Sequence, residues 1–195
     1  MLAVDHQKKE LHCKVVYYGP GLAGKVSNVL ALYNSVRPEF RSQLVTHETD
    51  IASELTFHFP AEMFKTPHGY TLHFHFSTTP GAVCHPSNQK MILENVDGVI
   101  FVADSQPERI EADLEYLKML KENLQALDID FQTLPYVLQL NKRDIPGILS
   151  VEELTARLRC KNEPIFGAVA FKGIGVVETF KALTRQILQK HHPVD

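Results

Sequence analysis

Seven residues near the amino terminus combine three glycines with a lysine. Positions 19–25 read Gly-Pro-Gly-Leu-Ala-Gly-Lys, which matches the pattern GxxxxGK, between an apolar run and a helical pattern. Glycines let such a loop bend until several backbone N–H groups converge on phosphate oxygens, and the following helix adds a favourable dipole. Lys25 brings a positive charge to the same phosphates. The sequence therefore predicts a phosphate-binding loop; the competing interpretation is a glycine-rich turn with an incidental lysine.

The residue that follows Lys25 departs from this pattern. The motif continues with Ser or Thr, whose hydroxyl binds Mg²⁺, but Val26 stands there. Valine has nearly the shape of threonine without its oxygen, so we expect the fold to tolerate it and the metal site to be lost. Ser27 is rotated by about 100° around the helix, which makes it the weaker alternative. We therefore predict no metal ligand at this position.

A second motif, Asn141-Lys142-Arg143-Asp144, follows an apolar run at 136–140. It matches NKxD at the end of a predicted strand, where ligands gather in open α/β sheets. The Asp144 carboxylate can accept both donors on one edge of guanine, a pair that adenine lacks. Asn141 can bridge the base and the phosphate loop, and the stem of Lys142 can lie across the purine. The two motifs together predict a guanine nucleotide site; the competing interpretation is a solvated charged turn.

Apolar runs alternate with helical patterns along the chain, which predicts α/β units around a sheet. The apolar face of the first helix is predicted to comprise Val29, Leu30, Tyr33 and Val36. Ser150 and Glu153 have the spacing of a capping box. Strands are predicted over 14–18, 54–59, 71–76, 96–104, 136–140 and 165–170, with the second and third antiparallel, and helices over 24–36, 107–127, 150–158 and 176–190.

Composition sets further limits. The chain has 195 residues and a formal net charge of −3 with neutral histidines, and no basic run favours nucleic acid. Its three cysteines are scattered, which fits a reducing compartment. We expect no signal peptide, no membrane span and no lipid anchor, because the required patterns are missing. The expected location is the cytoplasm, and any membrane association would need a partner.

Several histidines alternate with apolar residues along the two strands predicted as an antiparallel pair. His58, His73 and His75 lie opposite the inward-facing positions of these strands. We expect them to share one exposed face. That face is either a solvated surface or, alternatively, a place for metal binding or pH sensing.

The chain resembles the bacterial MglA-type (mutual-gliding) small GTPases, relatives of Ras, over residues 11–189. The resemblance implies one P-loop domain over 1–195, with its core at about 11–190, folded as a three-layer sandwich around a mostly parallel sheet with one antiparallel strand pair. It also implies a switch protein of cell polarity and motility, with protein partners at a switch face (43–54 and 82–90), an MglB-type activator and recruitment to a cell pole. The stretches that carry it are 16–22, 79–81, 97–105, 141–144 and 173–179.

Several departures from the family pattern concern hydrolysis. Ala82 stands where the family has the glutamine that orients the attacking water. Ser53 and Glu54 stand where it has an arginine and a threonine. We therefore interpret the chain as a degenerate member, with weak or altered guanine nucleotide binding and no catalytic residues of its own. The alternative is a working GTP-binding switch whose hydrolysis is completed by a partner.

The residues predicted to contact nucleotide come from both motifs and from two family segments. The resemblance places a backbone turn at 170–172 against guanine and a glycine at 81 near the phosphates. The full set is Gly19, Gly21, Leu22, Ala23, Gly24, Lys25, Val26, Ser27, Gly81, Asn141, Lys142, Asp144, Ala170, Phe171 and Lys172.

Overall fold

The computed structural model describes residues 3–48, 53–59, 70–78 and 86–190. Short 3₁₀ turns cover Pro38–Phe40, Pro107–Arg109 and Ala170–Lys172. Strands in these ranges are β1 (Ala3–Asp5), β2 (Glu10–Tyr18), β3 (Val45–Glu48), β4 (Ser53–Phe59), β5 (Thr71–Thr78), β6 (Gly98–Asp104), β7 (Tyr136–Asn141) and β8 (Ile165–Gly167). The α-helices there are α1 (Lys25–Ser35), α2 (Pro86–Leu93), α3 (Ile110–Gln125), α4 (Val151–Leu158) and α5 (Val176–Lys190).

All of these strands belong to a single sheet in the order β3-β4-β5-β2-β6-β7-β8, with β1 paired to β2. The central pairings, β5–β2, β2–β6, β6–β7 and β7–β8, are parallel. Every residue of β6 and β7 is buried, as expected for parallel strands covered on both faces. The predicted antiparallel pair is confirmed as β4–β5. Two further antiparallel pairings, of β1 with β2 and of β3 with β4, were not predicted from the sequence.

Helices cover the sheet on both sides, which confirms the predicted three-layer α/β architecture. On one side α1 and α5 pack over the side chains of Val15, Tyr17, Ile100 and Val102. On the other side α2, α3 and α4 pack over Val16, Tyr18, Phe101 and Leu138. Alternate residues of β2 and β6 thus belong to different cores, because successive side chains of a strand point to opposite faces.

The predicted apolar face of the first helix is correct for three of its four residues, since Val29 and Val36 are buried and Tyr33 packs against the core. Leu30 is exposed, whereas Leu32 is buried together with Val29. The buried stripe also contains Lys25 and Asn28, two polar residues that an apolar pattern does not reveal. The inclusion of Leu30 in the core was therefore wrong.

Several predicted boundaries also differ from the structure; β2, for example, begins at Glu10 rather than at residue 14. The last strand ends at Gly167 rather than at residue 170, because the chain turns there and Ala170–Lys172 forms a 3₁₀ turn. The helix predicted over 107–127 begins with the 3₁₀ turn Pro107–Arg109 before α3. The capping box of α4 is confirmed, since Ser150 Oγ accepts the Glu153 N–H at 3.1 Å and Glu153 Oε2 accepts the Ser150 N–H at 2.8 Å.

Parallel strands place their following loops at one edge of the sheet. The carboxyl ends of β2, β6, β7 and β8 lead into the loops that begin at residues 19, 105, 142 and 168. Ligands bind at this edge in open α/β sheets. Among the described helices, none is both long and apolar enough to cross a membrane.

Candidate nucleotide site

The loop between β2 and α1 is shaped by glycines that no other residue could replace without strain. Gly19 has φ of 142°, and a Cβ there would lie 2.3 Å from the carbonyl oxygen of Val102. Gly24 has φ of 100°, and a Cβ there would lie 2.3 Å from Asn141 Nδ2. Leu22 also has a positive φ, of 65°, and its side chain is exposed. The backbone of the loop is therefore held tightly between β6 and β7.

Lys25 folds back into this loop. Its Nζ donates hydrogen bonds to the carbonyl oxygens of Gly19 at 2.9 Å and Pro20 at 2.7 Å. Burial, aided by the nearby Arg109 guanidinium, lowers the pKa of Lys25 to about 8. An ammonium group held by two neutral carbonyls in a buried place favours an incoming anion.

The amino terminus of α1 supplies further donors for an anion. Gly24 is its N-cap, and neither a side-chain cap nor an acidic residue occupies the first turn. The N–H groups of a first helical turn have no partner within the helix, and the helix dipole adds positive potential there. The residues present therefore fit a phosphate group, which backbone N–H groups and Lys25 would hold.

Asn141 joins three segments that the sequence analysis had assigned separately. Its Nδ2 donates to the carbonyl oxygen of Ala23 at 2.7 Å, and its Oδ1 accepts the Ala170 N–H at 2.9 Å. Its side chain is buried and therefore held in one orientation. The structure thus brings the phosphate loop, the NKxD motif and the 170–172 turn together.

The lysine of the same motif reaches a carboxylate that the sequence analysis did not consider. Lys142 has φ of 63°, and its Nζ lies 2.6 Å from Asp104 Oδ2. Arg109 places its Nε 3.8 Å from that same oxygen and donates through Nη2 to the carbonyl oxygen of Gly21 at 2.8 Å. The available signal was an aspartate at the end of a fully apolar strand, where a charged residue needs a partner.

A second buried carboxyl group lies beneath Asp104. Both oxygens of Asp113 accept the backbone N–H of Asp104, at 3.2 and 3.1 Å. Burial, reinforced by the charge of Asp104, raises the pKa of Asp113 to about 8. The raised pKa favours the protonated form of Asp113 at neutral pH.

The remaining base-motif residues lie at the rim. Asp144 Oδ2 lies 3.3 Å from Lys172 Nζ, in a partly exposed ion pair. Phe171 is 71% exposed, and Lys172 Nζ lies 5.0 Å from the centre of its ring. Asp144 therefore has a cation beside it and retains an oxygen for a further donor.

The hydrolysis and metal positions are described only in part. Val26 is 41% exposed in the first turn of α1 and offers no oxygen, so that position does not fit Mg²⁺. Ser53 is the first residue of β4, where its backbone pairs with Thr78 and Glu48. Gly81 and Ala82 lie outside the described residues. The predicted loss of a metal ligand stays a prediction.

The histidine face was predicted to be exposed, which is wrong for His73, because only 13% of its side chain is accessible. His12 of β2 stacks on it with ring centres 4.7 Å apart, and His12 Nδ1 lies 3.2 Å from His75 Nε2. The side chain of His58 lies outside the description. Within the described ranges, no group of three or more His, Cys, Asp or Glu side chains is arranged to hold a metal ion.

A phosphate loop after β2, an NKxD motif at the end of β7 and a mostly parallel sheet between two layers of helices define a class, the Ras-like small GTPases. The chain is 41% identical over 188 residues to the mutual gliding-motility protein MglA of Myxococcus xanthus, an alignment that covers 96% of each protein. It therefore belongs to the MglA family of small GTPases. No protein-family model matches the chain.

More distant relatives agree with this assignment. The chain is 29% identical over 176 residues to the ADP-ribosylation factor-like protein 6 of Caenorhabditis elegans, which covers 86% of this chain and 90% of the relative. The corresponding protein of Caenorhabditis briggsae is 28% identical over 169 residues, covering 82% and 84%. Family membership supports a guanine nucleotide as the ligand class and protein regulators as the partner class.

Proposed function

We propose that this chain is an MglA-like regulator of cell polarity and motility that binds a guanine nucleotide, hydrolyses GTP slowly or not at all alone, and acts by recruiting partners. The observation that carries the proposal is the double hydrogen bond of Asn141, which joins the phosphate loop to the 170–172 turn. These two hydrogen bonds hold the phosphate and base motifs together as one cradle.

The chemistry of the cradle supports guanine as the base. The Asp144 carboxylate accepts hydrogen bonds and offers no donor, which suits the paired N–H groups of guanine and rejects adenine. Lys25 and the amino terminus of α1 would hold the β-phosphate, with Gly19, Gly21, Leu22, Ala23 and Gly24 forming the backbone around it. The peptide groups of 170–172 would cover the base.

The same set of residues is short of groups for GTP turnover. Val26 gives no oxygen to a metal ion, so the fourth charge of GTP relative to GDP would be poorly neutralised. Ala82 cannot orient water and Ser53 cannot act as a cis arginine, a group that contributes about 10³–10⁵ in rate to related enzymes. We therefore expect weak nucleotide binding that favours GDP.

Partner recruitment would use the switch face, residues 43–54 and 82–90. A polar partner or an MglB-type activator is the expected occupant, and it would bring the protein to a cell pole. The alternative function, a GTP-binding switch completed by its partner, is favoured by the intact Lys25 and by the formed NKxD motif.

Calorimetric titration with GDP, GTP and ATP, each in Mg²⁺ and in EDTA, tests the proposal. We expect guanine-selective binding in the micromolar range or weaker, tighter for GDP, and little changed by EDTA. Tight GTP binding that collapses in EDTA would favour the complete switch. Absence of binding at millimolar guanine nucleotide would refute the nucleotide-binding part.

A further inference from the structure

We propose that Asp104 is a positioning residue that couples the base motif to the phosphate loop. Its carboxylate lies between Lys142, which belongs to the base motif, and Arg109, which holds the loop. The inference rests on the proposed function, because it concerns how the same nucleotide would be held.

The carboxylate of Asp104 is placed to act at both ends of the site. Its side chain is fully buried, with 0% accessible surface, at the carboxyl end of β6. Oδ2 meets Lys142 Nζ at 2.6 Å, while Oδ1 accepts the backbone N–H of Gln106 at 3.2 Å. A charge-assisted bond of this length in a buried place fixes the lysine stem, which is the part that would lie against a purine.

Arg109 carries the effect to the phosphate loop. It donates to the carbonyl oxygen of Gly21 at 2.8 Å, and that carbonyl shares a peptide plane with the N–H of Leu22. In a trans peptide these two groups point in opposite directions. Holding the carbonyl towards Arg109 therefore turns the Leu22 N–H away from it, and it does so at a residue whose φ is already the unusual value of 65°.

No neighbouring acid within this cluster can take over the role. Asp113 is a neighbouring buried carboxyl group, but both of its oxygens accept the backbone N–H of Asp104. Burial also raises its pKa to about 8, which favours the protonated form at neutral pH. The carboxylate of Asp104 thus carries the negative charge between the two cations. Removal of the Asp104 carboxylate would release both Lys142 and Arg109. The positions of the two side chains would then no longer depend on each other.

A purely structural role predicts something different. Asp104 also closes a turn through Gln106, as aspartates commonly do at loop starts. If this turn were the whole contribution of Asp104, Asp104→Asn would lower stability. The effects of Lys142 and Arg109 on GDP affinity would then be independent of each other.

The test is a double-mutant cycle for GDP affinity, made with Lys142→Met and Arg109→Gln in the wild type and again in Asp104→Asn. In the wild type we expect the combined loss to differ from the product of the single losses by about threefold or more. In the Asp104→Asn background, the loss of GDP affinity in the double variant should equal the product of the two single losses to within about twofold. Asp104→Asn alone should weaken GDP binding about tenfold.

The matched control is Asp97→Asn. Asp97 is a buried aspartate immediately before the other end of β6, where its carboxylate accepts the N–H of Lys14 at 2.9 Å. The Asp97→Asn variant should have lower stability than the wild type and the same affinity for GDP. Should Asp104→Asn fail to fold, the wild-type cycle alone decides, since independent effects of Lys142 and Arg109 would overturn the inference.

The inference and the proposed function fail in distinguishable ways. Wild-type protein that binds GDP, with Asp104→Asn binding it equally well, would overturn the inference alone. Wild-type protein that binds no GDP would overturn both.

Discussion

The side-chain amide of Asn141 donates a hydrogen bond of 2.7 Å to the carbonyl oxygen of Ala23, a residue 118 positions earlier in the chain. The bond is possible because Gly24, the next residue, has no side chain. A Cβ at Gly24 would lie 2.3 Å from the donating nitrogen. The left-handed glycine and the buried amide are therefore one structural unit.

Replacing Gly24 by alanine should consequently cost more than backbone strain. Gly147 is a matched control, because it too has a positive φ, of 72°, and a Cβ there would meet nothing within 4 Å. We expect Gly147→Ala to lower the free energy of unfolding by about 1 kcal/mol, through the left-handed backbone alone. Gly24→Ala should lower the free energy of unfolding by about 1–3 kcal/mol more, because the added Cβ displaces the Asn141 amide from its hydrogen bond with Ala23. Equal losses in urea denaturation would contradict the account.

Asp113 should make stability depend on pH. Its native pKa of about 8 exceeds its ordinary value of 3.8, so between these values the native state binds more protons than the unfolded state. The free energy of unfolding contributed by this group therefore falls as pH rises from about 4 to 8. In Asp113→Asn this slope should be missing. The measurement is urea denaturation of both proteins at pH 5, 6, 7 and 8, and parallel curves would refute the raised pKa.

Val26→Thr should give nucleotide binding a dependence on Mg²⁺. Position 26 is exposed in the first turn of α1, so threonine should change stability by less than about 0.5 kcal/mol. Its hydroxyl would add the missing oxygen ligand. We expect GDP to dissociate from the variant several-fold faster in EDTA than in Mg²⁺. From the wild type, GDP should dissociate at the same rate in both. Leu30→Thr, exposed on the same helix, should behave as the wild type does.

A failure of Val26→Thr to gain this dependence would show that the other departures from the family pattern dominate. Tight Mg²⁺-dependent binding by the unmodified protein would contradict the expectation directly, because position 26 has no oxygen to offer.

Asp144→Ala should abolish the preference for guanine. The residue is partly exposed and its ion pair with Lys172 is worth less than about 1 kcal/mol, so the fold should persist. Loss of a bidentate contact should weaken GDP binding by about 1–3 kcal/mol and leave ADP binding unchanged. Competition between GDP and ADP measures the ratio. Glu152→Ala, an exposed carboxylate on α4, is the control and should keep the preference.

Much of this fold was predictable from local sequence patterns, because interactions between neighbouring residues determine those helix ends and strands. The capping box at Ser150 and Glu153 and the apolar runs of β6 and β7 are readable from neighbouring residues. Leu30 was misplaced because the buried stripe of α1 includes Lys25 and Asn28, whose burial depends on the loop above. The edge pairings of β1 and β3 depend on partners distant in sequence.

In the candidate site too, features carried by local motifs were predicted, whereas features that depend on tertiary contacts were not. Asn141 was predicted to bridge the base and the phosphate loop, and in the structure it joins that loop to the 170–172 turn. Its contact with a base stays a prediction. The contacts of Asp104 and Arg109 were missed because they arise only where the end of β6, the start of α3 and the phosphate loop meet in the folded chain. No spacing rule in the sequence connects them.

Single-turnover GTP hydrolysis, measured with the isolated protein at saturating nucleotide and Mg²⁺, decides whether the chain can turn over GTP alone. We expect radiolabelled GTP to bind in competition with GDP and to be recovered uncleaved after hours of incubation. Hydrolysis at the rate of an ordinary small GTPase would contradict this expectation, because Val26, Ala82 and Ser53 do not supply the groups that such hydrolysis needs.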